Sequence, residues 1–143
     1  ATKLGAKRVI PLEVSGPFHT GLLNPAAEKL AEELKKITFK EPRIPVISNV
    51  TAQVMKDAAE AADLLPQQVK SPVLWEKTIR VMLDSGVDTF VEIGPGSILR
   101  GFVKKIERKV NLLNVENIAS LNEALRYFAK EGGFSCSKEE QQS

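Results

Sequence analysis

The spacing of apolar and polar positions predicts short strands alternating with amphipathic helices. Val9-Ile10-Pro11-Leu12-Glu13-Val14 is rich in branched residues and predicts a strand. Gly16 and Pro17 stop it, since proline removes a ladder donor and glycine permits dihedrals other residues avoid. Asn24-Pro25 then predicts a helix start, with asparagine as cap and proline at the first helical position. Ala26, Ala27, Leu30, Ala31, Leu34 and Ile37 recur at helical spacing, with Glu28, Lys29, Glu32, Glu33, Lys35 and Lys36 largely on the other face. An amphipathic helix from about Pro25 to Lys36 follows.

Ile44 to Val50 predicts a second strand with Pro45 near its start. Ala58 to Val69 has helical composition, but Pro66 is expected to end or kink that helix. Ser71-Pro72 reads as a cap and first-turn proline restarting one, with Trp75, Ile79, Met82 and Leu83 as its apolar face and Gly86 as its stop. Val87 to Ile93 predicts a third strand, running into Gly94-Pro95-Gly96-Ser97. Ile98, Leu99, Phe102, Val103 and Ile106 form a helical stripe, and Val110 to Val115 predicts a fourth strand. Ser120-Leu121-Asn122-Glu123 has the pattern of a capping box opening a last helix, with Leu121, Ala124, Leu125 and Phe128 inward. From Gly132 onward the tail is polar and expected to be disordered. At the other end, Ala1 to Leu4 followed by Gly5 reads as the last turn of a helix and its stop. Without an initiator methionine, this reads as the C-terminal part of something longer. The alternation of elements predicts an α/β fold, a mostly parallel sheet with covering helices.

Composition narrows the function more than the fold. At 143 residues, 43% hydrophobic and 27% charged, the chain has the make-up of one globular domain. A net charge of +2 is too small to argue for a nucleic-acid partner. Cys136 is the sole cysteine, which excludes a disulfide framework and a cysteine zinc cluster, and suits a reducing, intracellular setting. No run of about 18 apolar residues is present, so no membrane span is predicted. Nothing at the N-terminus resembles a signal peptide.

One residue stands out chemically. His19 is the only histidine of the chain and falls on a loop between a predicted strand and a predicted helix. Imidazole titrates nearest neutral pH of all side chains, which suits a general base. Taken alone, a loop histidine is more often a surface residue than a catalyst. A base also needs a nucleophile, and the Gly-x-Ser-x-Gly elbow is absent from these residues. Gly94-Pro95-Gly96-Ser97 superficially suggests a phosphate cradle, but without the P-loop lysine or a third glycine a tight structural turn is the better reading. One histidine and no close carboxylate pair make a thin metal-ligand set.

Several motifs in order carry a family resemblance: Ser-Gly-Pro-Phe-His at 15–19, Pro-Val-Ile-Ser-Asn-Val at 45–50, Gln68 followed by Ser71-Pro72-Val73-Leu74-Trp75, and Glu92-Ile93-Gly94-Pro95-Gly96. Over residues 1 to about 130 the chain resembles the C-terminal part of the malonyl-CoA:acyl carrier protein transacylases. The resemblance implies that 1–14 closes a ferredoxin-like small subdomain and 15–130 completes a hydrolase-like acyltransferase core, leaving 131–143 as tail. It implies His19 as catalytic histidine and Gln68 as the residue whose main-chain carbonyl orients it, replacing the acid of a serine-histidine-acid triad. Pro66, two residues before Gln68, departs from the family's pattern.

The family's serine elbow, and its arginine for the malonyl carboxylate, would lie upstream, in an N-terminal half that is a partner of this one. The implied reaction is ping-pong transfer of malonyl from coenzyme A to the phosphopantetheine thiol of acyl carrier protein, in fatty-acid synthesis. It needs neither metal nor redox cofactor, and implies a cytoplasmic enzyme, or one of an organelle matrix in a eukaryote, with no nucleic-acid or membrane partner. Phe18 matches a position that separates malonyl from methylmalonyl selectivity in related polyketide acyltransferases; its other reading is a plain core aromatic. Arg100, Lys104, Lys105, Arg108 and Lys109 cluster on and after the helix that follows Gly96. At 100° per residue Arg100, Lys104 and Arg108 share a stripe, either a solvated face or a steering surface for an acidic carrier protein. Two alternatives stand beside this reading: a non-catalytic carrier-binding fragment, and an acyltransferase domain of a polyketide synthase.

Overall fold

Gly5, at φ 88°, closes a single 3-10 turn over Thr2–Leu4, as its position after that turn predicts. The computed structural model describes residues 1–11 and 15–130. Of the predicted strand at 9–14, residues 9–11 are not in a strand and 12–14 lie outside the described residues, as does the tail after Gly132. The chain divides into two units, residues 1–78 and 79–143.

In the first unit, Thr20 rather than Asn24 opens the helical segment. Its hydroxyl accepts the Leu22 N–H at 3.4 Å and caps a 3-10 turn, Gly21–Leu23, that runs into α1, Asn24–Leu34. Asn24 is already helical there, with its backbone in the right-handed region, so its side chain is not the cap. α1 packs against α2, Ala58–Lys70. Asp57 caps α2 by accepting the Glu60 N–H at 2.9 Å, while the Glu60 carboxylate accepts the Lys56 N–H at 2.6 Å. Pro66 does not break this helix. Its missing N–H costs one bond to the Ala62 carbonyl. The ring is buried along with Leu64, which offsets part of that loss. The strand predicted over 44–50 shrinks to β1, Ile47–Ser48, antiparallel to β2, Gln53–Val54. Between them Ala52 takes a left-handed backbone, φ 53°, with its N–H on the Ser48 carbonyl at 2.8 Å.

Ser71-Pro72 opens no helix. Ser71 is extended, and α3 spans Trp75–Asp84, its first turn closed by the Thr78 N–H on the Leu74 carbonyl. The Leu74 N–H, which no helical carbonyl can take at a helix start, is satisfied instead by the Asn49 carbonyl at 2.9 Å. Gly86, φ 87°, ends α3, with the Val87 N–H reaching back to Met82 at 3.0 Å.

In the second unit, β3, Thr89–Ile93, α4, Ile98–Ile106, and β4, Asn111–Val115, follow in order. The two strands pair in parallel, Thr89 opposite Asn111 through Ile93 opposite Val115. α5, Ile118–Lys130, packs on β4 and begins two residues before the predicted capping box. Asn117 is the cap, accepting the Ser120 N–H at 3.0 Å, and the Ser120 hydroxyl oxygen accepts the Asn117 N–H in return at 3.1 Å. Ala124 is buried, whereas Leu121 and Leu125 are exposed against expectation. The architecture is thus α/β, but among the described residues the strands form two pairs, one antiparallel and one parallel, in place of one mostly parallel sheet.

Candidate active site

The loop after Ser15 folds tightly because Thr20 turns back on it, its hydroxyl donating to the Pro17 carbonyl at 2.8 Å. Inside this turn His19 has φ 60°, a left-handed conformation uncommon outside glycine, although histidine tolerates it better than most. Two bonds to the C-terminal end of α2 hold it there. The His19 N–H donates to the Val69 carbonyl at 3.2 Å, and Nδ1 lies 2.8 Å from the Gln68 carbonyl oxygen. A carbonyl can only accept, so the neutral ring carries its proton on Nδ1 and leaves the Nε2 lone pair free.

The ring borders an open groove of about 470 Å³ lined by Leu23, Ala26 and Leu30 on one side and Leu65 and Val69 on the other. Phe18 stands at this groove, 60% exposed, so it is no core aromatic of the first unit. Its ring packs over Gly16, where an added Cβ would come within 3.3 Å. An imidazole with a free nitrogen on an apolar slot can take a proton from a hydroxyl or thiol and return it.

In the second unit the turn at Gly94–Ser97 needs both its glycines, which have φ 140° and 84°. Carboxylates satisfy its donors. Glu92 accepts the N–H groups of Leu99 at 3.1 Å and Arg100 at 2.8 Å, and Glu116 accepts that of Gly96 at 3.0 Å. The start of α4 therefore already holds negative charge, as a structural turn requires and a phosphate cradle does not. The predicted basic stripe is shorter than its spacing implies. Arg100 and Lys104 share a recess of about 420 Å³ with Ser97, Gly101 and Leu112. Lys105 stands 5.6 Å from the centre of the Phe102 ring. Arg108 lies past the end of α4, because Glu107 turns the backbone to an extended conformation. Among the described residues no three His, Cys, Asp or Glu side chains converge as a metal site. No helix there is long and apolar enough to cross a membrane.

The acyl transferase domain family matches residues 3–131. The chain belongs to that family. It is 46% identical over 131 residues to the malonyl CoA-acyl carrier protein transacylase of Bacillus subtilis, covering 92% of this chain and 41% of that protein. The solved malonyl CoA-acyl carrier protein transacylase from Clostridium perfringens superposes with a TM-score of 0.83 at 46% identity, over 92% of this chain and 41% of that one. A third match is to a chain in the solved structure of a type II PKS acyl-carrier protein in complex with its malonyl-transacylase, with a TM-score of 0.81, 39% identity and coverage of 88% of this chain and 41% of that one. The chain thus spans about two fifths of the length of the relatives it matches.

Within this acyl transferase chain, two contributors to the His19 site escaped the sequence reading. Val69 acts through its carbonyl, and the left-handed backbone at His19 carries no residue signature. The signal that could have found the carbonyls is Ser71-Pro72, which reads as a helix start but serves as the stop of α2, because a helix end leaves carbonyls open.

Proposed function

We propose that this chain supplies the base half of a malonyl-CoA:acyl carrier protein transacylase. The observation that carries the reading is the Nδ1 contact of His19 to Gln68 at 2.8 Å, which frees Nε2 beside an apolar groove. Nε2 takes the proton of a serine hydroxyl as that serine attacks the malonyl thioester of coenzyme A, then gives it to the departing thiolate. In the second half it takes the proton of the incoming phosphopantetheine thiol and returns it to the serine. Phe18 sits where it can limit the acyl group, and Arg100 and Lys104, with Lys105 and Arg108 more peripheral, attract the acidic carrier protein. The setting is the cytoplasm, or an organelle matrix.

The serine belongs to the rest of the acyl transferase domain, whose surface of attachment is suggested by β3. Along its edge away from β4, no strand is paired among the described residues. Ile93, 81% exposed, and Ile98, 70% exposed, lie at its end and just after it. A two-stranded parallel sheet is not a stable unit, and parallel strands are normally buried on both faces. Conversely, the lack of a serine elbow in these residues favours the non-catalytic, carrier-binding alternative for the chain taken alone.

Transfer assays separate the two. In a polypeptide that also carries the serine half, His19→Ala is expected to cut kcat by about 10²–10⁴-fold, and Gln68→Ala far less, since only its main chain acts. The isolated chain is expected to transfer nothing. A His19→Ala enzyme of full activity overturns the reading.

A further inference from the structure

The clamp on His19 depends on α2 ending where it does. In an α-helix each carbonyl accepts the N–H four residues on, so the last four carbonyls lack helical partners. In α2 the carbonyl of Gln68 would await the N–H of residue 72. That residue is Pro72, which has no N–H to give. A proline also disfavours the helical conformation of the residue before it, and Ser71 is extended at φ −108°, ψ 149°. The helix therefore cannot wind on, and the Gln68 and Val69 carbonyls face outward together. They meet the ring and the backbone N–H of His19 at 2.8 and 3.2 Å.

We infer that Pro72 is a positioning residue for His19, withholding the main-chain donor that a continuing α-helix would set against the Gln68 carbonyl. The inference rests on His19 being the base, and specifies how it is held. The end of α2 also brings the partial negative charge of a helix C-terminus to the ring. A triad carboxylate does this with a full charge; here the end of a helix does it with about half of one.

The single histidine makes this directly measurable on the chain itself. Long-range proton–nitrogen NMR spectra of the uniformly ¹⁵N-labelled protein, recorded with the ring neutral, report which nitrogen holds the proton. The wild-type ring is expected to be protonated at Nδ1. Pro72→Ala restores the competing N–H, and should shift the tautomer ratio toward Nε2–H by about five-fold, the worth of one ordinary hydrogen bond. Pro72→Gly, which adds the N–H without a side chain, should act in the same direction. Two results overturn the proposal: an unchanged ratio in a folded Pro72 variant, or a wild-type ring already protonated at Nε2, which needs no variant to fold. Neither result touches the transfer assay of His19→Ala, so the tautomer can fail while the role of His19 as base stands.

Discussion

The carboxylate of Glu92, on β3, accepts the backbone N–H of Arg100, on α4, at 2.8 Å, and that of Leu99 at 3.1 Å. A strand residue thus serves as the missing cap of the following helix, because Ser97 makes no side-chain cap there. Removing such a cap typically costs about 1 kcal/mol. Glu92→Ala is therefore expected to lower the unfolding free energy by about that amount, and Glu92→Gln by less, as read from denaturant midpoints.

His19 stores backbone strain that glycine would not. At φ 60° a side chain is disfavoured, so His19→Gly should be more stable than His19→Ala by about 1 kcal/mol. Thermal melts of the two variants check this. Equal stabilities would mean the loop relaxes out of the left-handed conformation once the ring is gone.

The ring of Phe18 rests on Gly16, so two substitutions reach the same selectivity from different sides. Phe18→Ser opens space for a methyl group and should move relative kcat/KM toward methylmalonyl-CoA by roughly tens-fold, the value of one methyl in an apolar pocket. Gly16→Ala brings a Cβ within 3.3 Å of the ring and makes it give slightly, and should alter the same ratio by less while leaving Phe18 in place. If neither ratio moves in the complete enzyme, Phe18 does not touch the acyl group.

The shape of α4 separates the cations that share a recess from the one that does not. Arg100→Glu with Lys104→Glu should raise KM for the carrier protein, most at low ionic strength, because steering by charge fades with salt. Arg108→Glu should do less, lying beyond the helix end. A carrier-protein KM that ignores Arg100 and Lys104 at low salt assigns them to solvent.

Much of this was readable from residue order, and the failures have common causes. Gly5 and Gly86 marked real stops because a left-handed residue after a helix is mostly glycine. The start of α5 was misplaced because Asn117 and Ser120 are both capping residues three apart, and the tertiary fold uses the earlier one. Pro66 read as a break because sequence shows a lost donor but not the burial that offsets it. The hairpin at β1 and β2 was invisible for a simpler reason: Ala52 makes its left-handed turn where a glycine would have announced one. At the candidate site, the family resemblance pointed to His19 and Gln68, which the structure brings into contact, whereas the φ of His19 and the Val69 carbonyl are backbone facts with no side-chain trace.

The bare edge of β3 also governs how this polypeptide behaves as a material. Thr89, Val91 and Ile93 are branched residues of high strand propensity on a strand with one side unpaired among the described residues, with no lysine or proline among them to repel a newcomer. A second copy offers the same edge, and two such edges can stitch together. Concentrated solutions of the chain should therefore sediment as dimers and larger species, with the monomer returning on dilution. Val91→Lys, which leaves the pairing with β4 in place, should hold the chain monomeric at concentrations where the parent associates. Identical sedimentation profiles for the two proteins would locate the association elsewhere on the surface.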